Sequence, residues 1–118
     1  MNQTEEFNRF RSRMNDRLLE TGDKIIKRIF NLDTNAYEEG YLDKETKELI
    51  GLSCSLVLRC DDCVKYHLGK CFELKIAHEQ VVEAMSVSTL IGGTIVVPHL
   101  RRAMDYWDEL NKNVSERS

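Results

Sequence analysis

The fold is decided by residues 43–73, DKETKELIGLSCSLVLRCDDCVKYHLGKCFE. Asp43 is suited to cap a helix, because an aspartate before an apolar repeat accepts hydrogen bonds from the first free backbone amides. The buried face of that helix is marked by Leu49, Leu52 and Leu56. The apolar pattern stops and restarts around Arg59, where Asp61 or Asp62 would cap a second helix. Its buried face is marked by Val64, Leu68 and Phe72. The stretch therefore predicts an antiparallel helical hairpin that turns near Arg59.

Helical patterns also flank this hairpin. Two amphipathic helices precede it, and Asp23 would cap the second, short one before a polar connection over residues 31–40. Their apolar residues are Phe7, Phe10, Met14 and Leu18 in the first helix, and Ile25, Ile26, Ile29 and Phe30 in the second. A fifth helix is expected from about Glu79 to Leu90, and Gly92-Gly93 separates it from a last helix. The predicted fold is an all-α bundle in a single domain over residues 1–118.

Composition supports this fold and narrows the classes of function. Only seven of the 118 residues are Gly or Pro, while 42% are apolar and 31% charged, which is typical of a soluble, helix-rich protein. The net charge is −3 with both signs interspersed, so no basic face is expected to bind nucleic acid or an anionic membrane. Neither a membrane span nor a secretory signal is predicted. The chain is expected to be cytoplasmic, with its four cysteines present as thiols or metal ligands.

Two cysteines and a histidine form the most informative pattern. Cys60, Cys63 and His67 stand at i, i+3 and i+7, so on a helix that begins near Cys60 they project from one side. The positive potential of a helix N-terminus favours a thiolate, and a C-x-x-C pair there can alternate between dithiol and disulfide. His67 could exchange a proton with the Cys63 sulfur. Asp61 and Asp62 act in the opposite direction, because a nearby carboxylate disfavours a second negative charge.

Glu48 lies on the preceding helix of the predicted hairpin. If the hairpin turns near Arg59, residues whose numbers sum to about 118 lie at the same height, and Glu48 and His67 sum to 115. The two side chains would then lie within about one helical turn of each other. A carboxylate beside an imidazole orients its tautomer, so Glu48, His67 and Cys63 could pass a proton in sequence. Taken alone, Glu48 could also be a solvated carboxylate paired with Lys44 or Lys47.

With Glu48 included, the pattern resembles the E-x11-C-x-x-C-x3-H signature of AhpD-like alkyl hydroperoxidases, within the carboxymuconolactone decarboxylase family. Four fixed positions at fixed spacing are far more specific than a C-x-x-C pair alone. The similarity continues through residues 79–84 and the Gly92-Gly93 break to Arg101-Arg102-Ala103. It covers about residues 42–118, which leaves residues 1–41 as an N-terminal helical extension of one AhpD-like domain.

The resemblance implies an AhpD-like helical bundle that assembles as a homo-oligomer, a trimer or hexamer, and reduces peroxides. The chain is therefore expected to be a thiol oxidoreductase, either a thiol peroxidase or a disulfide reductase. Carried over from the family, Cys63 is attacked by peroxide and becomes a sulfenic acid, Cys60 resolves it to a disulfide, and Glu48 and His67 form a proton relay. The helix-terminus argument by itself favours Cys60 as the more acidic thiol. The partners implied are a peroxide and an external dithiol reductant or redox protein, and no metal, haem or flavin cofactor is required. Peroxidases of the family can carry a further histidine where this chain has Asp62.

Three other functions fit parts of the pattern. A lactone decarboxylase of the same family would not need the cysteine pair. A zinc-binding module could use the pattern C-x2-C-x3-H-x3-C that ends at Cys71, but a continuous helix would spread these ligands over about 16 Å. A non-catalytic helical oligomer would use none of these residues for chemistry.

The remaining conspicuous residues are interpreted structurally. Cys54 and Cys71 are expected to be small buried core residues. His78 and His99 have no partner at an informative spacing and are expected to be surface or structural residues. Trp107 is expected in the core or in a subunit interface. Many family members have glycine after the motif helix, where this chain has Lys75, and the change is expected to affect a turn.

Overall fold

The structure, a computed structural model, describes residues 2–117 of the chain and the side chains of residues 2–112. The chain divides into two compact units, residues 1–40 and 41–118. The described residues form six α-helices and one 3₁₀ turn, with no strand among them. The predicted all-α fold is therefore confirmed, whereas the assignment of the whole chain to a single domain stays a prediction. No helix in the described part of the chain is long and apolar enough to span a bilayer.

The first unit is a pair of helices, α1 (Gln3–Thr21) and α2 (Lys24–Ala36). The Asp23 carboxylate accepts a hydrogen bond from the Ile26 amide at 3.0 Å, which confirms the predicted cap of α2. The predicted polar connection over residues 31–40 is wrong up to Ala36, because α2 continues to that residue, and only residues 37–40 of it lie outside a helix. Asn35 Nδ2 donates to Asn31 Oδ1 at 3.1 Å, so these polar side chains bond to each other along the helix instead of ending it.

The second unit contains α3 (Lys44–Val57), α4 (Asp61–Glu73), α5 (His78–Gly92), a 3₁₀ turn (Thr94–Val96) and α6 (Val97–Arg117). The Asp43 carboxylate accepts from the Thr46 amide at 2.8 Å, as predicted for the cap of α3. Helix α3 packs against α4 and α5, and α4 also packs against α6. The largest fully buried side chains are Trp107, Tyr106, Leu52, Leu56, Leu68 and Met85. Trp107 is thus a core residue, and its Nε1 donates to His78 Nδ1 at 3.0 Å, a structural role for that histidine.

The turn between α3 and α4 fixes the position of Cys60. Arg59 has a left-handed backbone conformation, with φ of 60°. Its amide donates to the Leu56 carbonyl at 3.0 Å, and the Cys60 amide donates to the Ser55 carbonyl at 3.1 Å. This pair of bonds is a Schellman motif, which satisfies carbonyls at the end of α3. The chain reverses within three residues, so α4 begins immediately after Cys60.

The predicted cap of α4 by Asp61 or Asp62 is wrong. Cys60 occupies the cap position, its side chain makes no capping hydrogen bond, and Asp61 is the first helical residue. The tight turn after α3 explains the difference, because it places Asp61 and Asp62 already inside the first turn of α4. A capping residue must precede that turn, so neither aspartate can cap the helix. The Asp61 carboxylate is instead bonded to residues of α6.

The end of α4 repeats this turn at Lys75, which also has φ of 60°. The Lys75 amide donates to the Phe72 carbonyl at 3.1 Å, and the Ile76 amide to the Cys71 carbonyl at 3.0 Å. Glycine is favoured at such a position because a side chain makes the left-handed conformation costly. Lys75 therefore lies in a turn, as predicted.

We expect the substitution Lys75→Gly to raise the free energy of unfolding by about 0.5–1 kcal/mol. A left-handed L-residue costs about 1–2 kcal/mol, and glycine removes this strain. Glycine also gives the unfolded chain more conformational freedom, which offsets part of the stabilisation. Denaturant unfolding of the wild type and the variant measures the difference. Lys75→Ala is the matched control, since it removes the lysine side chain but keeps the strain. Equal stabilisation by both variants would contradict this explanation.

Candidate redox site

The two cysteines of the C-x-x-C pair lie close together at the start of α4. Cys60 is the cap residue and is partly buried, whereas Cys63, in the first turn, is exposed. Neither cysteine is in a disulfide, and their sulfur atoms are 3.0 Å apart. A disulfide bond is about 2.05 Å long, so closing one requires an approach of about 1 Å. The pair can therefore form a disulfide with small side-chain movements.

Glu48 and His67 form a buried pair across the hairpin. The Glu48 side chain comes from α3 and His67 from α4, and Glu48 Oε2 lies 2.7 Å from His67 Nδ1. The two residues are only 4% and 6% exposed, which excludes a solvated role for this carboxylate. Nδ1 donates its hydrogen to the carboxylate, so the pair fixes the tautomer and the orientation of the ring. His67 follows Cys63 by four residues and thus lies one turn further along the same face of α4.

Gly51 provides the space for the His67 ring. A Cβ atom at residue 51 would lie 2.6 Å from His67 Cε1 and 2.8 Å from Nε2, far closer than atoms can pack. Gly51 is buried on α3, one turn after Glu48, so the helix that supplies the carboxylate also supplies the space for its partner. Sequence reasoning missed this residue. The sequence did contain an indication, because a glycine inside a predicted helix is about 1 kcal/mol less favourable than alanine. Such a glycine often marks a position where close packing leaves no room for a side chain.

We expect Gly51→Ala to lower the free energy of unfolding by about 1–2 kcal/mol. Alanine is the better helix former by about 1 kcal/mol, but the displaced imidazole and its buried bond to Glu48 outweigh that gain. Thermal or denaturant unfolding measures the change. Gly69→Ala is the matched control, since a Cβ at Gly69 meets no atom within 4 Å and alanine there should stabilise α4. The explanation fails if both variants stabilise the protein.

The other two cysteines differ from each other. Cys71 is fully buried, as predicted, but the prediction that Cys54 is a core residue is wrong, because its side chain is exposed. Cys54 is two residues from both Leu52 and Leu56, which places it about 200° around α3 from their buried face. Burial, with a smaller contribution from the nearby Glu48 carboxylate, raises the pKa of the Cys71 thiol to about 12. Cys71 is therefore an unreactive thiol.

The structure does not bring together the four ligands of the zinc alternative. Helix α4 continues without a break from Asp61 to Glu73, so it carries Cys71 away from the C-x-x-C pair. Among the side chains that the structure describes, no group of three or more His, Cys, Asp or Glu residues is arranged to hold a metal ion.

Alkylation is expected to distinguish the four thiols. With a pKa of about 12, only about one Cys71 in 10⁴ is a thiolate at pH 8, and its side chain is fully buried. Iodoacetamide at pH 8 should therefore label the exposed Cys54 and Cys63 in the folded protein and leave Cys71 unlabelled, as read by peptide mass. Unfolding in denaturant should make Cys71 reactive. Rapid labelling of Cys71 in the folded state would show that it is accessible.

A second polar cluster links the C-x-x-C pair to α6. Asp61, between the two cysteines, lies with its Oδ1 2.8 Å from His99 Nδ1, and its Oδ2 accepts from Arg102 Nε at 2.9 Å. Arg102 Nη2 is 3.2 Å from the same His99 Nδ1, but that nitrogen donates to the carboxylate and so cannot also accept from the arginine. Sequence spacing gave no sign of this cluster, because its members come from helices about 40 residues apart.

The fold and the site together define a small all-α protein with a C-x-x-C pair at the start of a helix and a buried glutamate–histidine pair beside it. Residues 24–106, which are most of the chain, match the carboxymuconolactone decarboxylase family, and the chain therefore belongs to it.

Known proteins of similar sequence and structure agree with this assignment. The chain is 43% identical to a Thermotoga maritima protein of known crystal structure, with a TM-score of 0.92 over 94% of this chain and 97% of that one. A second crystal structure of that protein, at 42% identity and a TM-score of 0.91 over 94% of both chains, describes it as a family member suggested to act in an antioxidative response. A family protein of Legionella pneumophila, crystallised in its apo form, shares the fold at 19% identity and a TM-score of 0.84 over 93% of this chain and 98% of that one. An uncharacterized protein of Cupriavidus necator is 30% identical over 76 residues, 64% of this chain and 67% of that protein.

Proposed function

We propose that this protein is an AhpD-like thiol peroxidase that uses Cys63 and Cys60 as its redox pair. The Cys63 thiolate attacks the peroxide, the O–O bond breaks, and the alcohol leaves with a proton while Cys63 becomes a sulfenic acid. The Cys60 sulfur then attacks the Cys63 sulfur, a disulfide forms and water leaves. An external dithiol or redox protein supplies two electrons and two protons to restore both thiols.

One observation carries this proposal: two thiol sulfurs lie 3.0 Å apart at a helix start, with the Glu48–His67 pair one turn further along. The exposure of Cys63 suits it for attack on a dissolved peroxide, and the partly buried Cys60 suits the resolving role. In the proposed relay, His67 takes the thiol proton and the Glu48 carboxylate stabilises the resulting imidazolium. The antioxidative response suggested for the Thermotoga maritima protein is consistent with such chemistry.

The direct test is one equivalent of tert-butyl hydroperoxide added to the fully reduced protein. We expect two of the four thiols to be lost, with peptide masses that show a Cys60–Cys63 disulfide. Added dithiol should restore all four thiols and allow further peroxide to be consumed. Four thiols still free after the peroxide treatment would refute the proposal.

The proposed setting is a homo-oligomer, a trimer or hexamer, in the reducing cytoplasm, where an external dithiol is available. Large apolar side chains on the surface support self-association: Leu58, Leu90 and Ile91 are 76%, 85% and 71% exposed. Light scattering after size-exclusion chromatography measures the mass of the assembly. A mass of one 13.7-kDa chain at micromolar concentration would exclude the oligomer.

A further inference from the structure

We propose that Arg102, together with His99, neutralises the charge of Asp61 and thereby stabilises a thiolate in the Cys60–Cys63 pair. The reduced form of the pair is then favoured relative to the disulfide. The inference rests on the proposed redox role of this pair, but it concerns residues of α6 that take no part in the peroxide reaction itself. In this scheme Asp61, His99 and Arg102 do not react with the peroxide. They are positioning residues, which act only by changing the charge around the two sulfur atoms.

The position of Asp61 makes its charge important for the pair. Asp61 directly follows Cys60 in the chain and is two residues before Cys63, in the first turn of α4. An uncompensated carboxylate here would oppose the positive potential of the helix N-terminus and disfavour a thiolate at either sulfur. The second aspartate of the motif, Asp62, is exposed to water, which screens its charge.

The geometry of the cluster shows how this charge is compensated. Both carboxylate oxygens of Asp61 are engaged, one by His99 Nδ1 at 2.8 Å and the other by Arg102 Nε at 2.9 Å. Partial burial alone would raise the pKa of Asp61, but the hydrogen bonds and charges of His99 and Arg102 outweigh it and hold that pKa below its ordinary value. Asp61 is therefore ionised at neutral pH and paired with a permanent positive charge.

The same cluster ties the start of α4 to α6, so a purely structural role must be distinguished from an electrostatic one. The two roles predict different effects of these substitutions on the equilibrium between disulfide and dithiol. If the cluster only holds α4 in place, removing either charged partner loosens the same contact, and the two variants should behave alike. If it compensates charge, removing Arg102 and removing Asp61 should have opposite effects on the redox pair, and removing both should cancel.

The test is the equilibrium between the Cys60–Cys63 disulfide and its dithiol in glutathione redox buffers at pH 9.5, read by peptide mass after quenching with acid. At this pH a cysteine with the ordinary pKa of about 8.5 is largely ionised, so a charge that acts on the thiolate shifts the equilibrium. Reduction consumes two glutathione thiols and yields one glutathione disulfide, so peroxide is not needed. We expect Arg102→Gln to shift the equilibrium about threefold toward the disulfide, and Asp61→Asn about threefold toward the dithiol. A threefold change corresponds to about 15 mV, since a tenfold change is about 30 mV for two electrons. The effect is modest because the Asp61 and Arg102 side chains are 36% and 54% exposed.

Three further variants complete the experiment. The double variant with Asp61→Asn and Arg102→Gln should return to the wild-type equilibrium, and Arg102→Lys, which keeps the charge, should stay close to it. Arg101→Gln is the matched control for loss of an exposed arginine from the same turn of α6. Thermal unfolding of each variant confirms that the comparison is made on folded protein.

The outcomes separate this inference from the proposed function. Shifts of both single variants in the same direction, or no shift in either, would overturn the inference even if the wild type consumes peroxide. Opposite shifts that cancel in the double variant would support it even if peroxide leaves the thiols unchanged. A pair that forms no disulfide in oxidised glutathione would overturn the inference, because there would be no redox couple for the cluster to adjust.

Discussion

Replacing Cys63 with serine is expected to lower the rate of peroxide consumption by about 10³-fold or more. The thiolate is the nucleophile in the proposed cycle, and a serine hydroxyl at the same position stays protonated at neutral pH. An enzyme that loses its nucleophile retains only its binding and electrostatic contributions. The measurement is peroxide consumption with excess dithiol, followed on the wild type and Cys63→Ser at equal concentration.

Two further cysteine variants give this prediction its controls. Cys60→Ser should react once and stop, with Cys63 about 16 Da heavier as a sulfenic acid instead of linked in a disulfide. Cys54→Ser removes an exposed thiol outside the pair and should keep the full rate. If Cys60→Ser lost the first step and Cys63→Ser kept it, the two roles would be reversed. A lactone decarboxylase that does not use the pair would keep all its activity in Cys63→Ser, and the thiol peroxidase assignment would then be wrong.

Glu48→Gln is expected to slow disulfide formation with peroxide by about 10–100-fold. Glutamine is similar in shape and its carbonyl can still accept from His67 Nδ1, but it lacks the charge that stabilises the imidazolium formed when His67 takes a proton. The low exposure of both residues strengthens this effect, because water screens the lost charge only weakly. Stopped-flow mixing with peroxide, with quenching by acid and counting of free thiols, gives the rate.

Glu45→Gln is the matched control for this second prediction. It makes the same chemical change in the first turn of α3, at an exposed residue, and should leave the rate unchanged. Circular dichroism of both variants shows whether the helices are intact. A rate within about twofold of the wild type in a folded Glu48→Gln protein would remove Glu48 from the proposed relay.

Much of the fold and part of the site could be predicted from the sequence because they depend on local geometry. The caps at Asp23 and Asp43 follow from one side chain and an amide three residues later. The meeting of Glu48 and His67 follows from the hairpin, since a tight turn and a fixed rise per residue set which positions lie at the same height. The start of α4 was predicted one or two residues late, because the Schellman turn that places Cys60 at the cap depends on a left-handed residue, Arg59, that no glycine marked.

The sequence alone determined the all-α fold and the spacing of Cys60, Cys63 and His67 on one helix face, because helical periodicity fixes the relative positions of residues within a few turns. Only the tertiary structure decided that Gly51 makes room for the imidazole and that His99 and Arg102 meet Asp61. These contacts join separate helices, and the rotation and height of one helix against another depend on how all their side chains pack. Spacing along the chain does not encode that packing, which is why the charge environment of the two cysteines emerged only from the folded protein.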